Sequence, residues 1–193
     1  PDASALEHVC GPAELAGLLP AWLVAEGVAQ REGSELTREC VNFCAERGCR
    51  SLGEALAELQ RVFRFKLEDA MEAAPGRPGV FSDVEDARGC VEPLLEAAEV
   101  GTLSSALPAL LQRLKGLGRR GPRLHRPLRL LLTGRVDGAP VAEIVRLLEL
   151  AEREGGDGAG VRLHDRLVSI RALFLAQPEY ETAAAAAAAA ETA

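Results

Sequence analysis

The amino-acid sequence predicts an all-α protein built from two small helical bundles, and three observations support this fold class. Hydrophobic residues make up 48% of the 193-residue chain, but aromatic residues only 4%, so the core must consist mainly of Leu, Ala and Val. Leu and Ala are strong helix formers, and β-branched or aromatic runs of strand length are scarce. Apolar residues also recur at helical spacing between recognisable helix caps.

Four helices are predicted in the first part of the chain. Pro12 and Glu14 favour a helix start, because Pro suits an early helical position and an acid suits the first turn. We expect this helix to end near Pro20. Ser51, with Glu54 three residues later, forms the capping-box pattern. The predicted ranges are 12–20, 21–29, 34–48 and 51–71.

The segment 74–79, Ala-Pro-Gly-Arg-Pro-Gly, is the clearest break in the chain. It separates a first helical subdomain, residues 1–78, from a second, residues 79–176. Ser82 and Asp83 predict a capped helix start that leads through Leu95. Further helices are predicted over 104–117, 139–153 and 163–174, with a basic loop at 118–122 and a flexible glycine loop at 155–160. Residues 177–193 form a low-complexity, alanine-rich tail to which we assign no function.

Charge is unevenly distributed along the chain. The net charge is −7, but residues 100–136 contain eight basic and no acidic side chains. Residues 1–99 carry a balance of −10, and residues 137–193 a balance of −5. In an acidic protein with one continuous basic segment, that segment indicates the kind of binding partner better than the total charge does.

The five cysteines are predicted to be small buried residues in a reducing compartment, because their number is odd and a chain of this size folds without disulfides. Their spacing is looser than in most zinc sites, which also favour histidine ligands. His125, among arginines, is expected to be a polar loop residue rather than a general base. We predict no metal, cofactor or catalytic residue. The cysteines are Cys10, Cys40, Cys44, Cys49 and Cys90.

One segment resembles a known family. Residues 124–134, Leu-His-Arg-Pro-Leu-Arg-Leu-Leu-Leu-Thr-Gly, are similar to the Pro-Leu-Arg…Leu-Thr-Gly stretch of bacterial-type, including organellar, glutamyl-tRNA synthetases. The structural motif residues are Pro127, Leu128, Arg129, Thr133 and Gly134. Gly138-Ala139-Pro140 stands in place of the family's following Gly-Pro pair, and residues 161–167 resemble its closing helix. The resemblance covers residues 12–175 and implies the all-helical anticodon-binding domain of a class I synthetase.

The catalytic half of such a synthetase has no counterpart in this sequence. Neither a HIGH-type sequence nor a KMSKS-type loop is present, and no strand–helix alternation predicts a nucleotide-binding sheet. The link before the family's last helix is also replaced, by Leu150-Ala151-Glu152-Arg153-Glu154 and the glycine loop. We therefore expect no enzymatic activity, although the chain could be the non-catalytic part of a glutamate–tRNA ligase.

The basic segment is predicted to contact RNA phosphates, because arginine forks suit phosphate oxygens and clustered cations release counterions. For Arg129, inside an apolar run, a structural tie to backbone carbonyls near Gly134 is the preferred interpretation. Aromatic residues such as Trp22 are expected in the core. The predicted RNA-binding residues are Arg113, Lys115, Arg119, Arg120, Arg123, Arg126 and Arg135, with Arg47, Arg50, Arg61 and Arg64 as possible anticodon contacts by position.

Two functions remain open from the sequence, besides a third and weaker alternative, a regulatory partner without RNA contact. The first is a non-catalytic module that binds tRNA or another structured RNA. The second is a structural subunit of an organellar ribosome, or of another ribonucleoprotein assembly, that uses the same fold as a protein–RNA scaffold. Both predict RNA (tRNA or rRNA) and proteins of a translation-related assembly as partners, and no membrane. We expect a mitochondrial or chloroplast location, or otherwise the cytoplasm.

Overall fold

Nine α-helices form the secondary structure of the residues described by the computed structural model, which are 11–73, 78–157 and 160–175. They are α1 (Pro12–Ala25), α2 (Glu35–Glu46), α3 (Leu52–Phe63), α4 (Leu67–Ala73), α5 (Pro78–Glu99), α6 (Leu103–Gly116), α7 (Pro122–Thr133), α8 (Val141–Glu154) and α9 (Leu163–Leu175). The predicted all-α class is confirmed for these residues. None of their helices is long and apolar enough to cross a membrane. Cys10 and the alanine-rich tail lie outside the described residues.

Helix α1 continues through Pro20, so the predicted break at this residue is wrong. A proline inside a helix removes one backbone hydrogen bond. The loss is offset by packing, because Leu15, Leu19 and Leu23 lie four residues apart and are all buried. The helix ends at Ala25, four residues before the predicted end of the second helix.

The predicted helix over 51–71 is two helices, α3 and α4, separated at residues 64–66. Arg64, the C-cap of α3, has an extended backbone conformation. The Lys66 amide then donates to the carbonyl of Thr133 at the end of α7, 3.2 Å away. The break therefore depends on a residue distant in sequence, which explains why local periodicity did not predict it.

Helix α5 begins at Pro78 and ends at Glu99, so the predicted start at Ser82 is wrong. Ser82 and Asp83 lie inside the helix, and the Asp83 side chain forms an ion pair instead of a cap. The predicted cap of α3 at Ser51 is confirmed, and Ser34 caps α2 at its predicted start. The Ser34 and Ser51 hydroxyls each accept from a backbone amide three residues later, at 3.1 Å.

One hydrophobic core contains buried residues from helices on both sides of the predicted boundary between subdomains. Helix α2 packs on α8, although a hundred residues separate them in sequence. The glycine loop also joins the two halves. Ala29 and Gly155 form an isolated antiparallel bridge, and the Gly156 amide donates to Val28. A Cβ at Gly156 would lie 2.3 Å from the carbonyl oxygen of Gly27, so only glycine permits this approach.

Candidate nucleic-acid interface

The predicted RNA-binding residues lie on two consecutive helices and the turn between them. Arg113 and Lys115 occupy the last turn of α6, and Arg119 and Arg120 follow in the turn. The others lie on α7 or just beyond it. We call this set, together with Arg129, the α6–α7 basic surface; it comprises Arg113, Lys115, Arg119, Arg120, Arg123, Arg126, Arg129 and Arg135.

Carboxylates of α5 lie against this surface. The Arg123 guanidinium donates from Nε and one terminal nitrogen to the two Asp86 oxygens, at 3.2 and 2.9 Å. Asp86 also lies 3.6 Å from Arg119. The sequence showed no acid within the basic segment, but folding supplies acids from an earlier helix. The further pairs are Arg126 with Asp83 at 2.7 Å, Arg113 with Glu96, and Arg135 with Asp137 at 3.2 Å.

The paired arginines differ in exposure. The Arg123 side chain is 75% exposed, whereas Arg119 is only 16% exposed. Arg119 also lies directly over Gly89, where a Cβ would be 2.5 Å from its guanidinium. Exposed ion pairs contribute about 0–1 kcal/mol, so a phosphate can compete for Arg123 more readily than for Arg119. Lys115 and Arg120 are exposed and form no ion pair with any residue that the structure describes.

The end of α7 at the turn adds positive potential to the surface. Its N-cap is Gly121, which supplies no side-chain acceptor, and its first turn contains no acid. A helix N-terminus carries a partial positive charge that acidic side chains usually balance. The first turn of α7 instead contains Arg123.

The family-like residues of α7 have structural roles in this protein. Leu128 is fully buried, and the Nε of Arg129 donates to the carbonyl of Ala139 at 2.7 Å. Arg129 therefore bonds a backbone carbonyl, the kind of contact predicted, but the carbonyl is that of Ala139 rather than one next to Gly134. The Thr133 hydroxyl donates to the Arg129 carbonyl at 2.8 Å and accepts from the Arg135 amide at 3.2 Å, which closes the end of the helix.

Gly134 ends α7 in a left-handed conformation, with φ of 74°. A Cβ at this position would lie 2.1 Å from the Lys66 carbonyl carbon. Both the conformation and the close approach of the α3–α4 segment therefore require glycine. Together with the buried Pro127, this accounts for the motif by packing and backbone geometry.

Arg166 is the residue that the sequence analysis missed. It is fully buried, and its guanidinium donates to the carbonyls of Val62, Phe63 and Leu132, while Nε donates to Val161 at 2.7 Å. Burial lowers the pKa of Arg166 to about 10, which leaves it charged at neutral pH. The cation joins the carboxyl ends of α3 and α7, where helix carbonyls are unpaired. Its position among the apolar residues of the last helix is the feature of the sequence that could have indicated its burial.

The other arginines considered for anticodon contact are dispersed. Arg47 pairs with Glu143 at 2.7 Å and lies over the Phe43 ring, and Arg61 pairs with Glu58. Arg50 is exposed, and its backbone amide donates to Glu54. Arg64 lines a cavity of about 190 Å³ next to Trp22. Trp22 is only partly buried, although it packs against the core.

Four cysteines lie within the described residues, and all four are buried free thiols, as predicted. Burial raises the pKa of Cys40 to about 12, and it also raises the pKa values of Cys44, Cys49 and Cys90. These thiols are therefore poor nucleophiles at neutral pH. Within the described ranges, no group of three or more His, Cys, Asp or Glu residues could hold a metal ion.

The fold and the site define an all-helical protein with a cationic surface formed by α6, α7 and the turn between them. Comparisons with protein-family models, curated proteins and solved structures find no match.

Proposed function

We propose that this chain is a non-catalytic RNA-binding module, similar to the anticodon-binding region of glutamyl-tRNA synthetases, that binds tRNA or another structured RNA through the α6–α7 basic surface. The observation that carries the proposal is the charge balance of this surface. Five of its eight cations form ion pairs, with four carboxylates in all, which leaves an excess of four positive charges on a protein whose net charge is −7.

The cations of this surface differ in how readily a phosphate can bind them. Lys115 and Arg120 are exposed without an ion-pair partner among the described residues, and Arg123 is exposed although paired. A phosphate offers an arginine the same bidentate geometry as a carboxylate, so it can replace Asp86 at Arg123. Arg119 and Arg129 are less exposed and have partners within the fold.

A matched pair of triple variants tests the proposal. The change Lys115→Ala, Arg120→Ala and Arg123→Ala should weaken binding to a tRNA transcript and to unrelated structured RNA alike. Each lost phosphate contact lowers the slope of log affinity against log salt by about 0.7–0.9, so the triple variant should lower it by about 2–3. Fluorescence anisotropy across a salt series measures both quantities.

The control variant is Arg146→Ala, Arg153→Ala and Arg171→Ala, which removes the same charge from exposed ion-paired arginines elsewhere. It should reduce affinity much less and keep the salt slope of the original chain. Equal salt slopes in the original chain and the α6–α7 variant would contradict RNA binding through this surface.

A structural subunit of an organellar ribosome or related assembly is the second candidate, and exposed apolar residues favour it. Val100 is 86% exposed and Val168 is 55% exposed; Val168 lines a groove between α5 and α9. Val168 shares this groove with Leu95, Ala98 and Leu167, and contiguous apolar surface, unlike scattered single residues, is typical of protein contacts. Sedimentation with mitochondrial or chloroplast ribosomal particles at salt concentrations that release phosphate contacts would support this candidate. Release of the chain under those conditions would contradict it.

A further inference from the structure

A shallow cleft of about 470 Å³ lies beside α7, within the α6–α7 basic surface. Its walls include His125, Arg126 and Arg129, which point to the same solvent space from successive positions on one side of the helix. Gly121 at the start of α7 also lines it, so the partly positive end of the helix faces the same space.

The groups around His125 are mostly cationic. Lys115 of α6 and Arg129 of α7 are close enough to act on its charge, and Arg126 lines the same cleft. Asp137, after α7, is the carboxylate in the cleft lining, and Arg135 donates to it at 3.2 Å. Although burial alone would raise the pKa of Asp137, the bonded Arg135 brings it below its ordinary value. Asp137 is therefore charged throughout the range in which histidine titrates.

The nitrogen atoms of this cleft are only partly used by the fold. Arg126 donates one terminal nitrogen to Asp83, and Arg129 donates Nε to Ala139. Each guanidinium has five N–H donors, so donors remain for a ligand. The half-buried His125 imidazole forms no hydrogen bond with any residue that the structure describes. A basic cleft with unused donors is suited to a tetrahedral oxyanion.

We propose that this cleft binds a phosphate group of RNA, with Arg126 and Arg129 as permanent cations and His125 as a contact formed only by the protonated imidazole. The inference rests on the proposed function and specifies which part of the basic surface holds a phosphate. It also makes RNA affinity dependent on proton concentration, although RNA phosphodiesters do not titrate in the same range.

The direction of the pH dependence follows from linkage. Burial lowers the pKa of His125, and the Arg129 and Lys115 cations lower it further. A bound phosphate anion favours the protonated imidazole and raises this pKa, so binding takes up a proton. RNA affinity must then rise as the pH falls from the pKa of the bound state to that of the free state. The rise is tenfold for each pKa unit by which the phosphate raises the pKa of His125.

The experiment measures affinity for an RNA hairpin between about pH 5 and pH 8 at constant ionic strength, the range in which histidine titrates. His125→Gln removes the titrating contact, and His164→Gln, at an exposed position of α9, is the matched control. Circular dichroism checks that both variants are folded. We expect the original chain and His164→Gln to bind RNA several-fold more tightly at the acidic end, and His125→Gln to lose this dependence.

An NMR titration with sulfate, whose charge is constant over this range, tests the oxyanion site without RNA. Sulfate should raise the pKa of His125, whereas the imidazole resonances of His164 should not respond to it. An unchanged pKa of His125 overturns the phosphate site. RNA binding with the same pH dependence in the original chain and His125→Gln overturns the inference but leaves the proposed function standing. A chain that binds no RNA at any pH refutes the proposed function, and the inference with it.

Discussion

The contact between α2 and α8 and the α6–α7 basic surface both use arginines, but they balance charge differently. Across the α2–α8 contact each arginine pairs with a carboxylate of the other helix, as Arg146 does with Glu39 and Arg153 with Glu35. On the α6–α7 basic surface, cations outnumber their carboxylate partners by two to one. The first arrangement is complete within the protein, whereas the second has positive charge available for an external anion.

The role of an arginine therefore depends on which groups the fold places opposite it. Arg113 and Arg123 belong to a segment without acids, yet both pair with α5. Arg166 belongs to no cluster in the sequence, yet it is the most enclosed cation of the described residues. The arginines therefore form three groups: buried residues that bond backbone carbonyls, surface residues paired with carboxylates, and cations available to phosphate. Substitutions should separate them.

The largest expected effect is on stability, at Arg166. Arg166→Met keeps much of the side-chain volume but removes the donors to the buried carbonyls of Val62, Phe63 and Leu132. Each unsatisfied buried acceptor costs about 1–3 kcal/mol, partly offset because no charge is then buried. We expect the free energy of unfolding to fall by about 3 kcal/mol, measured by urea denaturation with circular dichroism.

Arg162→Met is the control for Arg166, because Arg162 is exposed and its guanidinium donates to the Glu152 carbonyl at the protein surface. Its cost should remain below about 1 kcal/mol, as is usual for surface substitutions. If Arg166→Met is as stable as this control, the hydrogen bonds of the buried Arg166 do not stabilise the fold. The distinction between structural and available arginines is then wrong for its clearest example.

An intermediate effect is expected at Arg129, which combines a structural bond with a place in the basic cleft. Arg129→Met leaves the buried Ala139 carbonyl without its donor, so we expect a loss of about 1–2 kcal/mol. Urea denaturation followed by fluorescence of Trp22, the single tryptophan, measures it. Arg123→Met, on the same helix but exposed, should change stability by less than about 1 kcal/mol. Equal stability of the two variants would contradict a structural role for the hydrogen bond between Arg129 and Ala139.

Local sequence predicted most of the helices, although not α7, and several of their ends, because caps and apolar periodicity are short-range features. Ser51 acts as the predicted cap, and Ser34 caps α2 at its predicted start. The errors arose where a distant residue decides the local structure. Thr133 and Arg166 take up the backbone groups around residues 62–66 and end α3, and core packing carries α1 through Pro20. These effects need the tertiary structure.

The candidate site was predictable in position but not in charge balance. The basic segment was visible as eight cations without an acid, and the tie at Arg129 followed from its apolar neighbours. The pairing of α5 carboxylates with these arginines could not be predicted, because Asp83 and Asp86 precede their partners by about 40 residues and Asp83 resembled a helix cap. Ion pairing between distant helices has no short-range pattern in a single sequence.

The smallest expected effect is on RNA affinity, and Asp83→Asn with Asp86→Asn is the sharpest test of the charge balance. Asn keeps the size of Asp and an acceptor oxygen but releases charge at Arg126, Arg123 and Arg119. If these carboxylates compete with phosphates, the double variant should bind RNA more tightly, with a salt slope steeper by about 0.7–0.9 for each additional phosphate that the arginines neutralise. Because both carboxylates are largely buried and Arg119 loses its partner, the free energy of unfolding should also fall, by about 1–2 kcal/mol.

The matched control for this double variant is Glu85→Gln with Glu99→Gln, which removes two carboxylates from the same helix. Neither residue forms a described ion pair with the basic surface, and Glu99 pairs with Arg171 instead. General attraction between RNA and a less acidic protein would affect both double variants equally. A greater increase in affinity for the Asp variant means that the α5 carboxylates limit the access of phosphate to the arginines. The number of available cations then depends on ion pairing and not on the number of basic residues in the sequence. Equal increases would mean that the arginines paired with Asp83 and Asp86 do not contact phosphate, and that RNA binding depends on cations without a carboxylate partner in the described part of the chain, which are Lys115, Arg120 and Arg129.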